Sequence, residues 1–336
     1  MRRLIAFCLL VGGTACSVGG TQPRAVSSVP PKTQAPAARV PTPAPTPPLP
    51  PYFIESLRAR AYPGGNLAVG QQMFRGPGFS KFHMSWSSGG QTMTGTISLP
   101  DGPGPFPVVV VNHGFIPPER YWIGQDSGIF GDPMASHGFI AVAPNWPGYS
   151  GSGPGAPGLP PIVQEMVATL DLVSSLASLS QADTGRIVLV GHSNGGGISE
   201  IAMVVDARIR AVVLHGPVSS DMADNARKWW MSSPGGTDPV GSPDTNPDGY
   251  AHLSPRNYLA AGQPPTLIIQ GTSDQEIPAA WTQATFAALQ ARGIESKLSW
   301  YPGAMHDFGG ATLTAAVTEQ ESWIRHALGM PPLPGT

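Results

Sequence analysis

A serine framed by glycines is the residue of this sequence with the clearest chemical capacity. Ser193 stands in Gly-His-Ser-Asn-Gly at residues 191–195, after the β-branched apolar run 186–190 and before the helix-compatible stretch 198–205. A sharp turn between a strand and a helix holds such a serine in a strained conformation and projects its hydroxyl outward. Glycines at 191 and 195 leave no Cβ to collide with the adjoining strand and helix. The pattern predicts a nucleophile, and the alternative is a glycine-rich turn without chemistry.

A serine hydroxyl is a weak nucleophile and needs a base, which a third group must orient. Asp274 follows an apolar run at 266–270, and His306 follows another at 297–300. Both therefore come just after predicted strands, where sites in open α/β sheets form. The order serine, acid, histidine is the order of a triad in this context. We expect His306 to take the proton of Ser193 and Asp274 to orient the imidazole.

Each partner also has a plain structural alternative. Asp274 would serve as a helix N-cap before Pro278, and His306 would be an ordinary loop histidine. Asp307 is a competing candidate for the acid. The three residues in the right order and context favour the triad over these alternatives.

Acyl transfer also needs two N–H groups aimed at the oxyanion. We expect one from the backbone of Asn194 and the other from Phe115, which follows the apolar run 108–111 and Gly114. The candidates for the pocket wall are aromatic and histidine side chains, and ordinary core packing is their alternative. These candidates are Phe115, Trp146, Tyr149 and His215. Four other histidines, His137, His192, His252 and His326, are interpreted as structural.

Runs of strand and helix character alternate along residues 52–330. This alternation predicts an α/β fold with a doubly wound, mostly parallel sheet and helices on both faces. The insertion at 217–263, rich in Gly, Pro, Asp and Asn, is either a cap over the site or a surface excursion anchored by its tryptophans. Strands are predicted at 82–86, 92–99, 108–111, 139–143, 186–190, 211–214, 266–270 and 297–300, and helices at 129–137, 162–179, 198–205, 281–291 and 312–328.

The formal charge of −2 is distributed unevenly along the chain. Residues 1–51 carry five basic and no acidic side chains, which leaves 14 basic and 21 acidic for the remainder. Nothing in this distribution gives the basic patch of a nucleic-acid surface. The only cysteines are Cys8 and Cys16, so a domain that begins near residue 52 contains no disulfide.

The first residues predict export. Two arginines, a short apolar stretch and small residues over 1–16 are typical of a signal peptide. Cys16 stands where a bacterial lipoprotein carries its lipid, and simple secretion is the equal alternative. Residues 17–51 are a linker, since 30–51 holds ten prolines in 22 positions.

The motifs together resemble the α/β-hydrolase superfamily over roughly residues 82–328. Val-Val-Val-Val-Asn-His-Gly-Phe (108–115) and Gly-His-Ser-Asn-Gly-Gly-Gly (191–197) are similar to bacterial cutinases, polyester hydrolases and acetylhydrolases. Gln-Gly-Thr-Ser-Asp (270–274) and Tyr-Pro-Gly-Ala-Met-His (301–306) resemble dienelactone hydrolases and the catalytic domain of prolyl oligopeptidases. The resemblance implies a serine hydrolase with no metal and no organic cofactor.

We therefore expect an exported carboxylesterase that acts on a small or polymeric ester through an acyl-enzyme. One alternative is a serine peptidase or amidase of prolyl-oligopeptidase type. The other is a non-catalytic, envelope-anchored binding protein on this fold. The expected partners are the ester substrate alone, with no nucleic acid and with a membrane only through a lipid on Cys16.

Overall fold

The computed structural model describes residues 19–20, 48–231 and 239–333. Contacts divide the chain into Met1–Pro47 and Pro48–Thr336, and the fold below belongs to the second unit. The predicted signal peptide over 1–16, with Cys16, and most of the predicted linker lie outside the described residues. Among the helices that are described, none combines the length and apolar character needed to cross a membrane.

One nine-stranded sheet organises the domain, in the order β1-β2-β3-β5-β4-β6-β7-β8-β9. The first three strands and β5 pair antiparallel, and β5-β4-β6-β7-β8-β9 are parallel. The strands are β1 Ala68–Gly76, β2 Phe79–Ser88, β3 Gln91–Pro100, β4 Phe106–Asn112, β5 Ile140–Pro144, β6 Ala182–His192, β7 Ile209–His215, β8 Thr266–Gly271 and β9 Ser296–Tyr301.

Helices cover both faces of this sheet, as predicted. Alternate residues of β4 show the division, because Val109 and Val111 belong to one apolar cluster and Val108 and Val110 to another. Helices α2 and α8 contribute to the first cluster, and α3, α4 and α7 to the second. The helices are α1 Ile54–Ala59, α2 Ser127–Ser136, α3 Pro161–Ser175, α4 Asn194–Val205, α5 Met222–Asn225, α6 Pro247–Leu253, α7 Ala279–Ala291 and α8 Gly310–Ala327.

Every predicted strand and helix is present, with ends that move by a few residues. The hairpin between β2 and β3 turns at Gly89 and Gly90, whose φ angles of 57° and 77° suit glycine. Four elements were missed: β1, α1 and the two short helices of the insertion, α5 and α6. Strand β1 is exposed along almost all of its length, so it shows no alternation of apolar residues. Helix α1 has only six residues, too few to display a helical period.

Parallel pairing brings the carboxyl ends of β4, β6, β7, β8 and β9 to one edge of the sheet. Asn112 lies opposite Gly191, His192 opposite His215, and Gly271 opposite Tyr301. The loops after these strands therefore converge at the same edge, and they carry the residues singled out from the sequence.

Helix α4 also buries an acid that has no partner. Both carboxyl oxygens of Glu200 lack a hydrogen-bond partner among the described residues, and the side chain is buried. Burial raises the pKa of Glu200 well above its usual value, which favours the protonated form. An unbonded carboxyl group in a core costs stability.

We predict that Glu200→Met stabilises the protein by about 1–3 kcal/mol, because Met fills a similar volume without a polar group to desolvate. The native pKa is raised, so the unfolded chain ionises first and the native state loses stability as pH rises above the unfolded value. The gain should therefore be larger at pH 8 than at pH 4. Urea denaturation at both pH values measures it. Glu119→Met, on the surface, is the control and should change stability by less than about 0.5 kcal/mol. A stability gain for Glu200→Met that is equal at pH 8 and pH 4, or a loss of stability at both, would contradict the prediction.

Candidate active site

Ser193 occupies the turn between β6 and α4 in a strained backbone conformation, with φ 54° and ψ −118°. Its N–H donates to the carbonyl of His215 at 2.9 Å. Its own carbonyl accepts from the N–H groups of Gly196 at 2.9 Å and Val218 at 3.2 Å. A positive φ is costly for a serine and persists only where neighbouring contacts impose it. These three hydrogen bonds impose it here.

The glycines on either side of Ser193 are required by contact, as predicted. A Cβ on Gly191 would lie 2.2 Å from the carbonyl oxygen of Gly195. A Cβ on Gly195 would lie 2.1 Å from the carbonyl oxygen of Asn112 at the end of β4. Both partners are backbone atoms, which cannot move aside as a side chain does. The elbow therefore packs against its neighbouring strand with no room for a methyl group.

Asp274 and His306 meet on the loops that follow β8 and β9. His306 Nδ1 lies 2.9 Å from Asp274 Oδ2. The other carboxyl oxygen, Oδ1, accepts from the N–H groups of Glu276 and Ile277 at 2.8 and 2.9 Å. Asp274 thus contacts the imidazole and also caps the local turn at residues 274–277. It is not the N-cap of α7, because that position is Pro278 and no side chain caps it. The structure pairs His306 with Asp274 and not with the competing candidate, Asp307.

The Asp274 carboxylate stays ionised although its side chain is only 1% exposed. Burial alone raises the pKa, but the hydrogen bond from His306 and the N–H groups of Ile277 and Glu276 outweigh it and lower the pKa of Asp274. A carboxylate on Nδ1 places the proton on that nitrogen and leaves Nε2 of His306 as a base.

Ser193 and His306 line the same two cavities at the carboxyl edge of the sheet. The first has a volume of about 280 Å³ and extends beneath α2, with Ile129 and Phe130 in its wall. The second has a volume of about 520 Å³ and is walled by Val218, Trp229 and Trp230. Phe115 and Asp307 also line both cavities.

The two expected oxyanion donors lie beside the nucleophile. Within the described part of the chain, the N–H groups of Phe115 and Asn194 donate to no protein acceptor. Gly114 brings the first donor close, since a Cβ there would lie 3.2 Å from Ser193 Cβ. The Asn194 side chain is held by Glu165, because its Nδ2 donates to Glu165 Oε2 at 3.0 Å. Burial raises the pKa of Glu165 to about 8 against that hydrogen bond, so Glu165 is protonated at neutral pH.

Three of the four pocket-wall candidates lie elsewhere, and only Phe115 lines the cavities. Trp146 and Tyr149 are buried in the core, where the Trp146 ring stacks on His113 with centroids 4.1 Å apart. His215 is fully buried, and its Nε2 lies 2.8 Å from Gln320 Oε1. The expectation for these three is corrected for one reason. Each is held by packing beneath the loops, and the sequence does not show which side of a loop faces the cavity.

From the sequence, His192 was interpreted as structural and Trp230 was considered only as one of the tryptophans of the insertion. Asp126 and Glu165 were not singled out. His192 and Asp126 both line the smaller cavity. Asp126 precedes α2 in a loop with φ 64°, and nothing in the local sequence marks it. His192 had one signal, its position directly before Ser193.

His192, His306 and Asp307 offer candidate metal ligands within 4.8 Å of one another. Both ring nitrogens of His192, however, already face oxygen atoms. Nδ1 lies 2.8 Å from Asp126 Oδ2, and Nε2 lies 3.2 Å from the carbonyl oxygen of His306. A nitrogen that donates a proton to a carbonyl has no lone pair left for a metal. These contacts favour an ion pair over a metal ligand, and the expectation of no metal and no cofactor stays a prediction.

The sheet order and the serine elbow define the class. The chain has the α/β-hydrolase fold, and it is a hydrolase of the serine type. It belongs to the prolyl oligopeptidase family, whose sequence model matches residues 163–331, half of the chain. A chlorophyllase model matches residues 79–214.

Curated relatives match part of the chain. Dipeptidyl-peptidase 5 of Porphyromonas gingivalis is 30% identical over 190 residues, which cover 52% of this chain and 26% of that protein. The uncharacterized protein PA2218 of Pseudomonas aeruginosa is 34% identical over 92 residues, covering 26% of this chain and 24% of that protein. The chain thus spans about a quarter of the length of these relatives.

Solved structures show the same fold. Acetyl xylan esterase 1 from Thermoanaerobacterium has a TM-score of 0.59 at 15% identity, over 82% of this chain and 90% of that one. A puromycin-hydrolyzing peptidase of Mycobacterium tuberculosis has a TM-score of 0.59 at 19% identity, over 72% of this chain and 38% of that one. At these identities the likeness concerns the fold alone.

We predict that Gly195→Ala destabilises the protein by about 2–4 kcal/mol, because its methyl group would meet the Asn112 carbonyl and displace the elbow from β4. Thermal unfolding monitored by circular dichroism measures the loss. Gly138→Ala is the control for a glycine with open space around it, although its φ of 87° adds local strain. A loss for Gly195→Ala no larger than that for Gly138→Ala would contradict the contact argument.

Proposed function

We propose that this protein is a carboxylesterase that works through Ser193, His306 and Asp274. Nε2 of His306 takes the hydroxyl proton of Ser193 as Oγ attacks the ester carbonyl. The N–H groups of Phe115 and Asn194 hold the oxyanion of the tetrahedral intermediate. His306 then gives its proton to the departing alcohol, which leaves an acyl-enzyme. Water attacks this acyl-enzyme with the same base, releases the acid and restores Ser193.

One observation supports this mechanism above the others. The 2.9 Å contact between His306 Nδ1 and Asp274 Oδ2 joins loops from two different strands, and the histidine lines the same cavities as Ser193. The contact supplies the base and the group that orients it, which an otherwise weak hydroxyl requires.

The ester is favoured over the amide by the nature of the leaving group. An alkoxide departs from the tetrahedral intermediate more readily than an amine, so the triad and the two N–H donors suffice for it. The larger cavity offers mostly uncharged side chains, including Val218 and two tryptophans, as walls for an acyl chain or an aryl alcohol. The proposed substrate is a small or polymeric carboxylic ester.

A second candidate function is a peptidase or amidase. Glu276 and Asp307 line the larger cavity beside His306, and two carboxylates are suited to a substrate amine. The relationship to the prolyl oligopeptidase family over residues 163–331 is consistent with that function.

The insertion at 217–263 is proposed as a partial lid. Trp229 and Trp230 lie in its π-helical turn Ala226–Trp230 and contribute to the wall of the larger cavity. Lys228 Nζ donates to the carbonyl of Glu276, and the rings of Trp229 and Trp281 pack edge to face with centroids 5.6 Å apart. These contacts connect the turn to the loop that follows β8 and to helix α7. Export through residues 1–16, with secretion or a lipid on Cys16, is a further proposal from the sequence.

We predict that the full chain hydrolyses p-nitrophenyl esters, and that Ser193→Ala lowers kcat by at least about 10³-fold because the nucleophile is lost. Ser322→Ala, on the exposed side of α8, is the matched control and should leave the rate unchanged. A fluorophosphonate probe should label the wild-type enzyme and not Ser193→Ala. Folded wild-type protein without turnover or labelling would favour the non-catalytic binding protein instead.

We predict that Asp274→Asn lowers kcat by about 10⁴-fold, because the amide no longer stabilises the imidazolium or fixes its tautomer. Asp307→Asn tests the competing acid and should change ester turnover by less than tenfold. Steady-state kinetics on one p-nitrophenyl ester compare the two. The opposite ranking would assign the acid to Asp307.

Aminoacyl p-nitroanilides separate the two candidate substrate classes. We expect kcat/KM for the esters to exceed that for the anilides, with the best acyl length set by the larger cavity. Trp230→Ala should shift this preference to longer acyl chains, because it enlarges the cavity. Anilide cleavage that exceeds ester cleavage, and that falls in the variant Glu276→Gln, would establish the peptidase instead.

A further inference from the structure

His192 and Asp126 form a second histidine–carboxylate pair beside the proposed triad, and the mechanism above gives this pair no role. Asp126 Oδ2 accepts two hydrogen bonds, from the N–H of Gly114 at 2.6 Å and from Nδ1 of His192 at 2.8 Å. Nε2 of His192 lies 3.2 Å from the carbonyl oxygen of His306. Through one carboxylate and one ring, the loop after β4 is thus connected to the loop after β9.

Both ring nitrogens of His192 face oxygen atoms that can only accept. A neutral imidazole has one N–H, so it would place a lone pair against either the carboxylate of Asp126 or the carbonyl of His306. The imidazolium, with two N–H groups, satisfies both contacts. Asp126 Oδ2 also accepts from the Gly114 N–H, which favours its ionised form, and with Asp126 ionised the contacts favour a charged ring paired with a charged carboxylate.

The pair is well shielded from solvent, with side-chain exposures of 5% for His192 and 14% for Asp126. The His192 ring packs against Phe130, with centroids 5.7 Å apart, and against the His306 ring, with centroids 4.9 Å apart. The other titratable groups that act on His192 and Asp126 are Asp307, His113 and His215. In such a site each charge depends on its partner, because an unpaired buried charge is strongly destabilising.

The backbone conformation of Asp126 and the absence of a side chain at Gly114 both accommodate the Asp126–His192 pair. Asp126 has φ 64° and ψ −48°, an unfavourable conformation for a residue with a side chain. A Cβ on Gly114 would lie 3.1 Å from His192 Nδ1 and 3.3 Å from Asp126 Oδ2, so a larger residue would push the pair away from the loop. Gly114 directly precedes Phe115, the proposed oxyanion donor.

We propose that the Asp126–His192 ion pair positions the catalytic groups, by fixing the loop that carries the Phe115 N–H relative to the loop that carries His306. This inference rests on the proposed function, since it assigns the pair a role in the same reaction. The pair touches no reacting atom. It acts on the placement of the oxyanion donor at one end and of the general base at the other, and small errors in such placement reduce turnover strongly.

The charges make this positioning dependent on pH. Burial by itself lowers the pKa of His192, but the charge of Asp126 and the hydrogen bonds to Asp126 and to the carbonyl of His306 raise it to about 9. Burial raises the pKa of Asp126, but the charge and hydrogen bond of His192 outweigh this effect and lower the pKa to about 2. Because the folded pKa of His192 lies above its unfolded value, the contribution of His192 is fully present below about pH 6.5 and is lost as pH rises through about 9. The contribution of Asp126, whose pKa is lowered, is lost only as pH falls through about 2.

The test is the pH dependence of kcat for ester hydrolysis by the full chain. The wild-type enzyme should lose activity with an apparent pKa near 9, as the uncharged ring turns a lone pair toward the carbonyl of His306. In Asp126→Asn, kcat should fall by about 10²-fold while KM changes by less than threefold, and the alkaline loss should move to lower pH. His192→Gln should lower kcat similarly and abolish that alkaline loss, and the double variant should be no worse than the poorer single variant.

A matched control separates positioning from general stability. His137 Nδ1 lies 2.7 Å from Glu321 Oε2, a comparable contact whose residues line neither cavity. His137→Gln should leave kcat, KM and the alkaline limb unchanged. A purely structural role for the Asp126–His192 pair would lower the melting temperature and leave the alkaline limb where it is, and that result would overturn the proposal.

A measurement on the unmodified enzyme keeps the proposal testable if the variants do not fold. In nitrogen-15 histidine NMR spectra at pH 7.5, one of the eight histidines should carry protons on both ring nitrogens and lose one near pH 9. All eight rings neutral at pH 7.5 would overturn the proposal. Turnover that persists in Ser193→Ala would instead overturn the proposed function, so the two failures are distinguishable.

Discussion

The strained turn at Ser193 is the constraint on which the rest of the site depends. A φ of 54° at a serine is held by hydrogen bonds to the carbonyl of His215 and from two N–H groups that follow. The turn also needs two glycines, whose absent Cβ atoms leave space for the Gly195 and Asn112 carbonyls. The strain is therefore maintained by β4 and β7 on either side of β6. Parallel pairing of these strands therefore holds Ser193 at the cavities.

The same pairing explains how residues far apart in sequence come to share one cavity. Loops after β4, β6, β8 and β9 supply the Phe115 N–H, Ser193, Asp274 and His306, and each loop follows a strand of the same parallel sheet. Functional residues often lie on loops that a rigid scaffold positions. The tryptophans of the insertion, Trp229 and Trp230, also line the larger cavity.

Buried ionisable groups surround the site, and their charge states differ because their neighbours differ. Asp274 stays ionised because hydrogen bonds outweigh burial, whereas Glu165 is protonated and holds the side chain of Asn194. His192 is charged because Asp126 compensates it, whereas burial lowers the pKa of His215 to about 4 and keeps that ring neutral. Two histidines opposite each other on β6 and β7 therefore carry different charges. Their neighbours decide the difference: a carboxylate for His192 and the Gln320 amide for His215.

The sequence by itself determined the alternation of strands and helices and the order of Ser193, Asp274 and His306, because periodicity, glycine spacing and position after a strand are local properties. The order and position of the residues favoured Asp274 over Asp307 as the acid, but the contact of Asp274 with His306 needed the fold, because the two residues lie on loops after different strands. The placement of Trp146 and Tyr149 beneath the loop and of Trp230 in the cavity wall was likewise decided by packing. Asp126 shows most clearly what the sequence alone does not predict. Its role depends on contacts with residues 12 and 66 positions away, which only the tertiary fold brings together.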